Sequence, residues 1–172
     1  YDMSGSIIDT LADWGFVRKL GSAYEATKLG KRVSELYIDP LTAKWVIDVL
    51  PHLHDDLGVL FMISNTLEMR PYVKSTDEAE MALSDYIYLL KNVGINFEEE
   101  MPFYDPVRPM STALMLNDWI SEVHERDITE KYATTPGSLF TKIRRLAALL
   151  EHRACQIVRF KRGKATRDEG QS

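Results

Sequence analysis

Apolar residues recur at helical spacing along most of the chain. Ile7, Ile8, Leu11 and Trp14 predict a short helix over 6–14, because positions three and four apart share one helical face. Gly15 ends it. Phe16–Leu20 and Ala23–Lys28 then read as two short strands joined at Gly21-Ser22, a hairpin signal. Helical patterning returns at Gly30 in GKRVSELYI. Asp39-Pro40 opens the next helix, with Asp39 as cap and Pro40 in a first turn that needs no amide donor. That helix, LTAKWVIDVLPHL, gathers Leu41, Trp45, Val46, Val49 and Leu50 on one side, and Pro51 ends or kinks it. Residues 56–69, DLGVLFMISNTLEM, are apolar almost all round, which predicts a buried helix. STDEAEMALSDYIYLLKN opens on a capping box, Ser75 to Glu78, and carries apolar Met81, Ile87, Leu89 and Leu90. GINFEEEMPFYDPVRP reads as a loop. After Met110, STALMLNDWISEVHE is a helix with Leu114, Leu116, Trp119, Ile120 and Val123, and DITEKY is a short one with Asp127 near its start.

The last patterned stretch, Thr134 to Lys164, dominates the chain. Thr134 or Thr135 caps it, Pro136 suits its first turn, and Gly163 offers a stop. One face collects Leu139, Ile143, Leu146, Ala147, Leu150, Ala154 and Ile157. The opposite face collects Thr141, Arg145, Ala148, His152, Gln156 and Arg159. The polar face is basic, with Glu151 to one side. Such a strip is either a solvated surface or a helix that lies along a polyanion. The pattern as a whole predicts a mainly α fold: a bundle of about seven helices with a single hairpin near its start. A helix followed by a two-stranded hairpin is how a winged-helix domain ends. The remainder of such a domain is expected upstream of Tyr1, and the non-Met start fits a fragment or processed chain.

Charge sharpens the picture. The net charge of −5 argues by itself against nucleic acid. From Lys142 to Ser172, however, nine Lys/Arg face three Asp/Glu, a surplus of six positive charges. The rest of the chain holds twelve Lys/Arg against 23 Asp/Glu, a deficit of eleven. That asymmetry points to a localised anion-binding surface on an acidic body. With 45% hydrophobic residues the chain can build a core, and no apolar run reaches membrane-spanning length. Neither a signal peptide nor a membrane association is expected. Cys155 is the single cysteine, which excludes an internal disulfide and fits a reducing, cytoplasmic setting.

Catalytic patterns are missing. Gly30-Lys31 and Gly163-Lys164 lack the upstream glycine of a phosphate-cradling loop. His52 and His54 diverge on a helix and have no further Cys or His nearby, so no metal site is expected. Cys155 among basic residues, and the Glu98–Glu100 run, define no nucleophile or acid/base pair. No catalytic residue and no cofactor is assigned; the reading is a non-enzymatic helical module.

The junction Thr27–Ala43, TKLGKRVSELYIDPLTA, resembles a specific family. Thr27, Leu29, Gly30, Ser34, Tyr37, Ile38, Asp39, Pro40 and Thr42 match its T-x-L-G-x-x-x-S-x-x-Y-I-D-P-x-T pattern. Further matches are Asp118, Trp119, Ile120 and Glu122, then Asp127, Ile128, Glu130 and Tyr132, then Pro136, Gly137 and Leu139. The pattern is similar to archaeal superfamily-two, Ski-like DNA-repair helicases, relatives of the polymerase-theta helicase region, and covers about residues 5 to 158. The resemblance implies residues 1–36 as the end of a winged helix plus junction helix, 37–162 as a helical ratchet domain, and 163–172 as a disordered tail. It implies an accessory piece of an ATP-dependent 3′→5′ DNA helicase that contacts single-stranded or forked DNA along the long helix. ATP and Mg belong, on that reading, to RecA-like motor domains of the same polypeptide. The family's PGDL is PGSL here. Its following Arg and stacking Trp fall on Thr141 and Ala148, which cannot stack. Arg145 and His152 share their stripe and are expected to substitute. The implied nucleic-acid-binding set is Thr141, Lys142, Arg144, Arg145, Ala148, His152 and Arg159. A Ski-like RNA helicase module and a domain that docks an acidic protein partner are the alternatives.

Overall fold

The computed structural model describes residues 3–95 and 105–150. They fall into two compact units, one of 3–47 with 149–150 and the other of 48–148. The described residues are mainly helical, with one two-stranded antiparallel hairpin.

In the first unit, α1 (Met3–Asp13) leads into β1 (Val17–Leu20) and β2 (Ala23–Ala26). The strands pair with Val17 opposite Ala26 and Leu20 opposite Ala23. Gly21 takes a positive φ of 61° in the turn, a conformation a β-carbon disfavours. α2 (Lys28–Glu35) starts two residues before Gly30. The cause is Thr27. Its hydroxyl accepts from Gly30 N at 3.1 Å, which caps the helix, and donates back to the Gly15 carbonyl at 2.6 Å. α3 (Pro40–Val49) is capped as the sequence predicts: Leu41 N donates to Asp39 Oδ1 at 2.8 Å. Phe16, Val33, Ile38, Ala43 and Ile47 form the core here, with Leu11, Trp14, Leu29 and Leu36 packed round it. Gly30 is where α2 passes closest to the hairpin. A β-carbon there would overlap the Phe16 carbonyl oxygen and lie 2.8 Å from its carbon, both backbone atoms that cannot swing aside. Gly30→Ala is therefore expected to cost about 1–3 kcal/mol through overpacking. That outweighs the roughly 1 kcal/mol helix-propensity gain. Urea denaturation measures the balance; a variant as stable as the parent would show that the close approach relaxes freely.

The second unit holds the remaining helices. A 3₁₀ turn, Leu50–His52, follows α3 and contains Pro51. α4 (Asp56–Ser64) is apolar all round and largely buried. The predicted 56–69 helix ends early, because side chains take its last carbonyls. Asn65 Nδ2 donates to Phe61 O at 2.6 Å and Thr66 Oγ1 to Ile63 O at 2.7 Å. A second 3₁₀ turn, Leu67–Met69, follows. α5 (Asp77–Asn92) is capped by Thr76 rather than Ser75, with Ala79 N on Thr76 Oγ1 at 3.2 Å. It buries Ala79, Leu83 and Leu90, while Met81 and Tyr88 stay 71% exposed. α6 (Val107–Ile120) begins ahead of Met110 because Asp105 Oδ1 accepts from Val107 N at 2.9 Å. It packs on α4 and α5, and its residues from Pro109 to Leu116 are buried in an unbroken run. α7 (Glu125–Lys131) and α8 (Pro136–Ala148) complete the unit. The Glu98–Glu100 run and everything beyond Leu150 lie outside the described residues.

Candidate nucleic-acid interface

α8 starts where Thr135 caps it: Ser138 N donates to Thr135 Oγ1 at 3.2 Å and Leu139 N to the Thr135 carbonyl at 3.0 Å. Pro136 occupies the first turn without loss. The inward face is Leu139, Lys142, Leu146 and Leu149. This differs from the predicted apolar face in one decisive place. Lys142 is only 2% exposed, whereas Ala147 and Leu150 face solvent.

Lys142 is inside because the segment after the second 3₁₀ turn presents bare carbonyls to α8. Lys142 Nζ donates to Met69 O at 2.9 Å and also to Pro71 O. One turn further on, Arg145 Nη1 donates to Glu68 O at 2.8 Å and to Arg70 O at 2.9 Å. Two basic residues of the expected nucleic-acid-binding set thus hold four consecutive backbone carbonyls. For Lys142 this is a correction: its ammonium points into the protein because buried carbonyls need a donor. Arg145 keeps part of its side chain in solvent, but its guanidinium is already engaged.

The outward face carries Phe140, 44% exposed, and Arg144, one turn later. Gly137, Ala147 and Ala148 surround them as small exposed residues. Arg144 has no hydrogen-bond or ion-pair partner among the described residues. Thr141 is half-buried and its hydroxyl donates to Gly137 O at 2.9 Å, a bond to its own helix. Ala148 is exposed at the end of α8. His152 and Arg159 lie outside the described residues. Phe140 is absent from the sequence-based set, although a signal existed: a large aromatic at a position the inward face does not include.

The second patterned motif has a structural role. Asp118 accepts from Tyr132 Oη at 2.7 Å and from Lys131 Nζ at 3.1 Å, and Lys131 reaches Glu78 at 2.8 Å. These bonds join α5, α6 and α7. Burial, followed by the Asp118 carboxylate, raises the Tyr132 phenol above its ordinary pKa. Hydrogen bonding to Glu78 holds Lys131 above the usual lysine range. Among the described residues no three His, Cys, Asp or Glu side chains converge as a metal site. None of the helices there is long and apolar enough to cross a membrane.

Residues 57–163 match the sequence family described as archaeal helicase, domain 4. Among curated proteins, the chain is 42% identical over 120 residues to the ATP-dependent DNA helicase Hel308 of Methanocaldococcus jannaschii, covering 68% of this chain and 9% of that protein. It is 39% identical over 127 residues to the Hel308 of Pyrococcus horikoshii, covering 70% of this chain and 17% of that protein. For the Pyrococcus abyssi Hel308 the figures are 37% over 117 residues, 65% and 16%. These matches agree with the mainly helical fold of the described residues. The chain belongs to the archaeal helicase domain 4 family. It spans a fifth or less of the length of these relatives.

Lys142 makes a pH prediction. Burial first, and the neighbouring Arg145 guanidinium second, lower its pKa below the ordinary 10.5. The unfolded chain then binds this proton more tightly than the folded one. The residue's contribution therefore favours folding increasingly as pH climbs from the lowered value to 10.5. Other groups titrate in the same range, so the quantity to follow is the stability difference between parent and Lys142→Met. Urea denaturation across that window should show the difference growing in the parent's favour. A difference flat with pH would mean the ammonium is as well solvated as in the unfolded chain.

Proposed function

We propose that this chain is a non-catalytic accessory domain of a larger ATP-dependent DNA helicase and contacts single-stranded DNA through the outward face of α8. The single observation that carries the reading is the pairing of exposed Phe140 with Arg144, which has no partner among the described residues, on an otherwise small-residue surface. An aromatic ring stacks on a base of any sequence, and a guanidinium one turn away pairs with phosphate. Gly137, Ala147 and Ala148 leave room for a strand to approach the ring. The names of the relatives support the rest: each is an ATP-dependent DNA helicase several times longer than this chain. On this reading, RecA-like motor domains elsewhere in the polypeptide bind ATP and Mg. Their cycles advance the strand past α8, which acts as the ratchet. Thr141 and Ala148 stand beside the contact without stacking.

Fluorescence anisotropy with a labelled single-stranded oligonucleotide tests the reading. Phe140→Ala should weaken binding by about 1–3 kcal/mol, the worth of one stacked base. Arg144→Ala should weaken it across all sequences and reduce the slope of log affinity against log salt by about 0.7. Both residues are exposed, so neither change threatens the fold. If both variants bind like the parent, α8's outward face is not the contact surface. Parallel single-stranded RNA titrations, with equal or tighter binding, would transfer the domain to an RNA-acting parent.

A further inference from the structure

A cavity of about 540 Å³ opens in the second unit, on the flank of α8 away from Phe140 and Arg144. Three cations line it, from three separate parts of the fold: Lys74 from the segment before α5, Arg108 from the first turn of α6, and Lys142 from α8. Tyr72, Thr134 and Ser138 add hydroxyl groups, and no carboxylate stands among the described lining residues. For a chain with net charge −5 this is an anomaly.

Among the described residues, the local bonding leaves the positive charge uncompensated. Lys142 is bound to carbonyls of Met69 and Pro71, and Arg108 reaches the Val73 and Tyr72 carbonyls at 3.4 Å each. Carbonyls satisfy N–H donors but carry no net charge. Lys74 has an exposed ammonium with no ion pair among the described residues. The Thr134 and Ser138 hydroxyls likewise have no hydrogen-bond partner there. The wall is also rigid. Ser111 Oγ donates to Lys74 O at 2.6 Å, and Val73 N donates to Thr112 Oγ1 at 3.3 Å, which pins the segment to α6. Converging ammonium, guanidinium and hydroxyl donors, with no competing carboxylate among the described residues, match a tetrahedral oxyanion.

We propose that this cavity is a phosphate-binding site, taking a phosphate group carried by a nucleic-acid strand or free in solution. Lys74 and Arg108 supply the direct charge, Thr134 and Ser138 the neutral donors, and buried Lys142 the background potential. The site does not rest on the outward face of α8, whose residues are not part of its wall.

The first probe is orthophosphate, titrated into the 172-residue chain by calorimetry and phosphorus NMR. Saturable one-site binding is expected. Lys74→Glu and Arg108→Gln should each weaken it about tenfold or more, the loss of one charge-assisted hydrogen bond. Lys91→Glu, which reverses a cation at the end of α5, should leave it unchanged. Absence of saturable binding, or an equal loss in Lys91→Glu, would overturn the proposal. Lys74 is exposed and unpaired, so its variant keeps the fold. A second arm, with a single-stranded oligonucleotide, identifies the source. A strand phosphate predicts that orthophosphate competes and that Lys74→Glu weakens oligonucleotide binding. A free phosphate predicts oligonucleotide affinity unaltered while orthophosphate binding is lost. Phe140→Ala leaves the orthophosphate result intact, so failure of the α8 contact and failure of this site remain distinguishable.

Discussion

Four consecutive carbonyls, from Glu68 to Pro71, turn toward α8 and have no strand to pair with. Two basic side chains three residues apart close that gap, Lys142 on Met69 and Pro71, Arg145 on Glu68 and Arg70. A buried carbonyl without a donor is costly. An ammonium taken out of water is costly too, and here each cost offsets the other. The consequence is geometric. Once Lys142 and Arg145 point to the segment, the rotation of α8 about its axis is fixed. Phe140 and Arg144 must then face outward, and Ser138 must face the flank where Lys74 and Arg108 stand. Both surfaces discussed above inherit their composition from that one clasp.

Much of the fold is legible in the sequence, because it is written in local chemistry. The Gly21 turn, the Asp39-Pro40 start and the Thr135-Pro136 start each depend on residues within one turn of themselves. What escapes is set by polar contacts that hydrophobic spacing does not register, some of them distant in sequence. Thr27 caps α2 and simultaneously bonds the Gly15 carbonyl, so the helix begins earlier than its glycine suggests. The long apolar run after Asp56 stops at Asn65 because polar side chains compete for carbonyls, which hydrophobic periodicity does not register.

The candidate interface shows the same limit more sharply. Periodicity correctly identifies α8 as amphipathic with a basic side. Lys142 enters the expected binding set through the family resemblance, and its burial follows from neither periodicity nor its residue type, since lysine is rarely buried. Nothing local reveals that a stretch some seventy residues earlier will offer its carbonyls. Phe140 belongs to neither predicted face, yet it is the large exposed aromatic of α8. The helix is rotated from its sequence-predicted orientation, and that rotation changes which residues are available to a ligand.

That rotation also bears on the departures from the family pattern at Thr141 and Ala148. The family that the sequence resembles sets its Arg and its stacking Trp seven residues apart, on the positions of Thr141 and Ala148 here. In this chain the exposed aromatic of α8 is Phe140, and the exposed cation one turn on is Arg144. The small residues Gly137, Ala147 and Ala148 then become the floor around the ring rather than missing contacts. On the proposed reading, a strand that stacks on Phe140 is gripped by one face of α8, and a phosphate held at Lys74 and Arg108 by the other flank. Stacking tolerates any base, and phosphate contacts ignore sequence altogether. A surface built from those two elements would hold a strand without reading it, which is the requirement for a part that must let every sequence slide past.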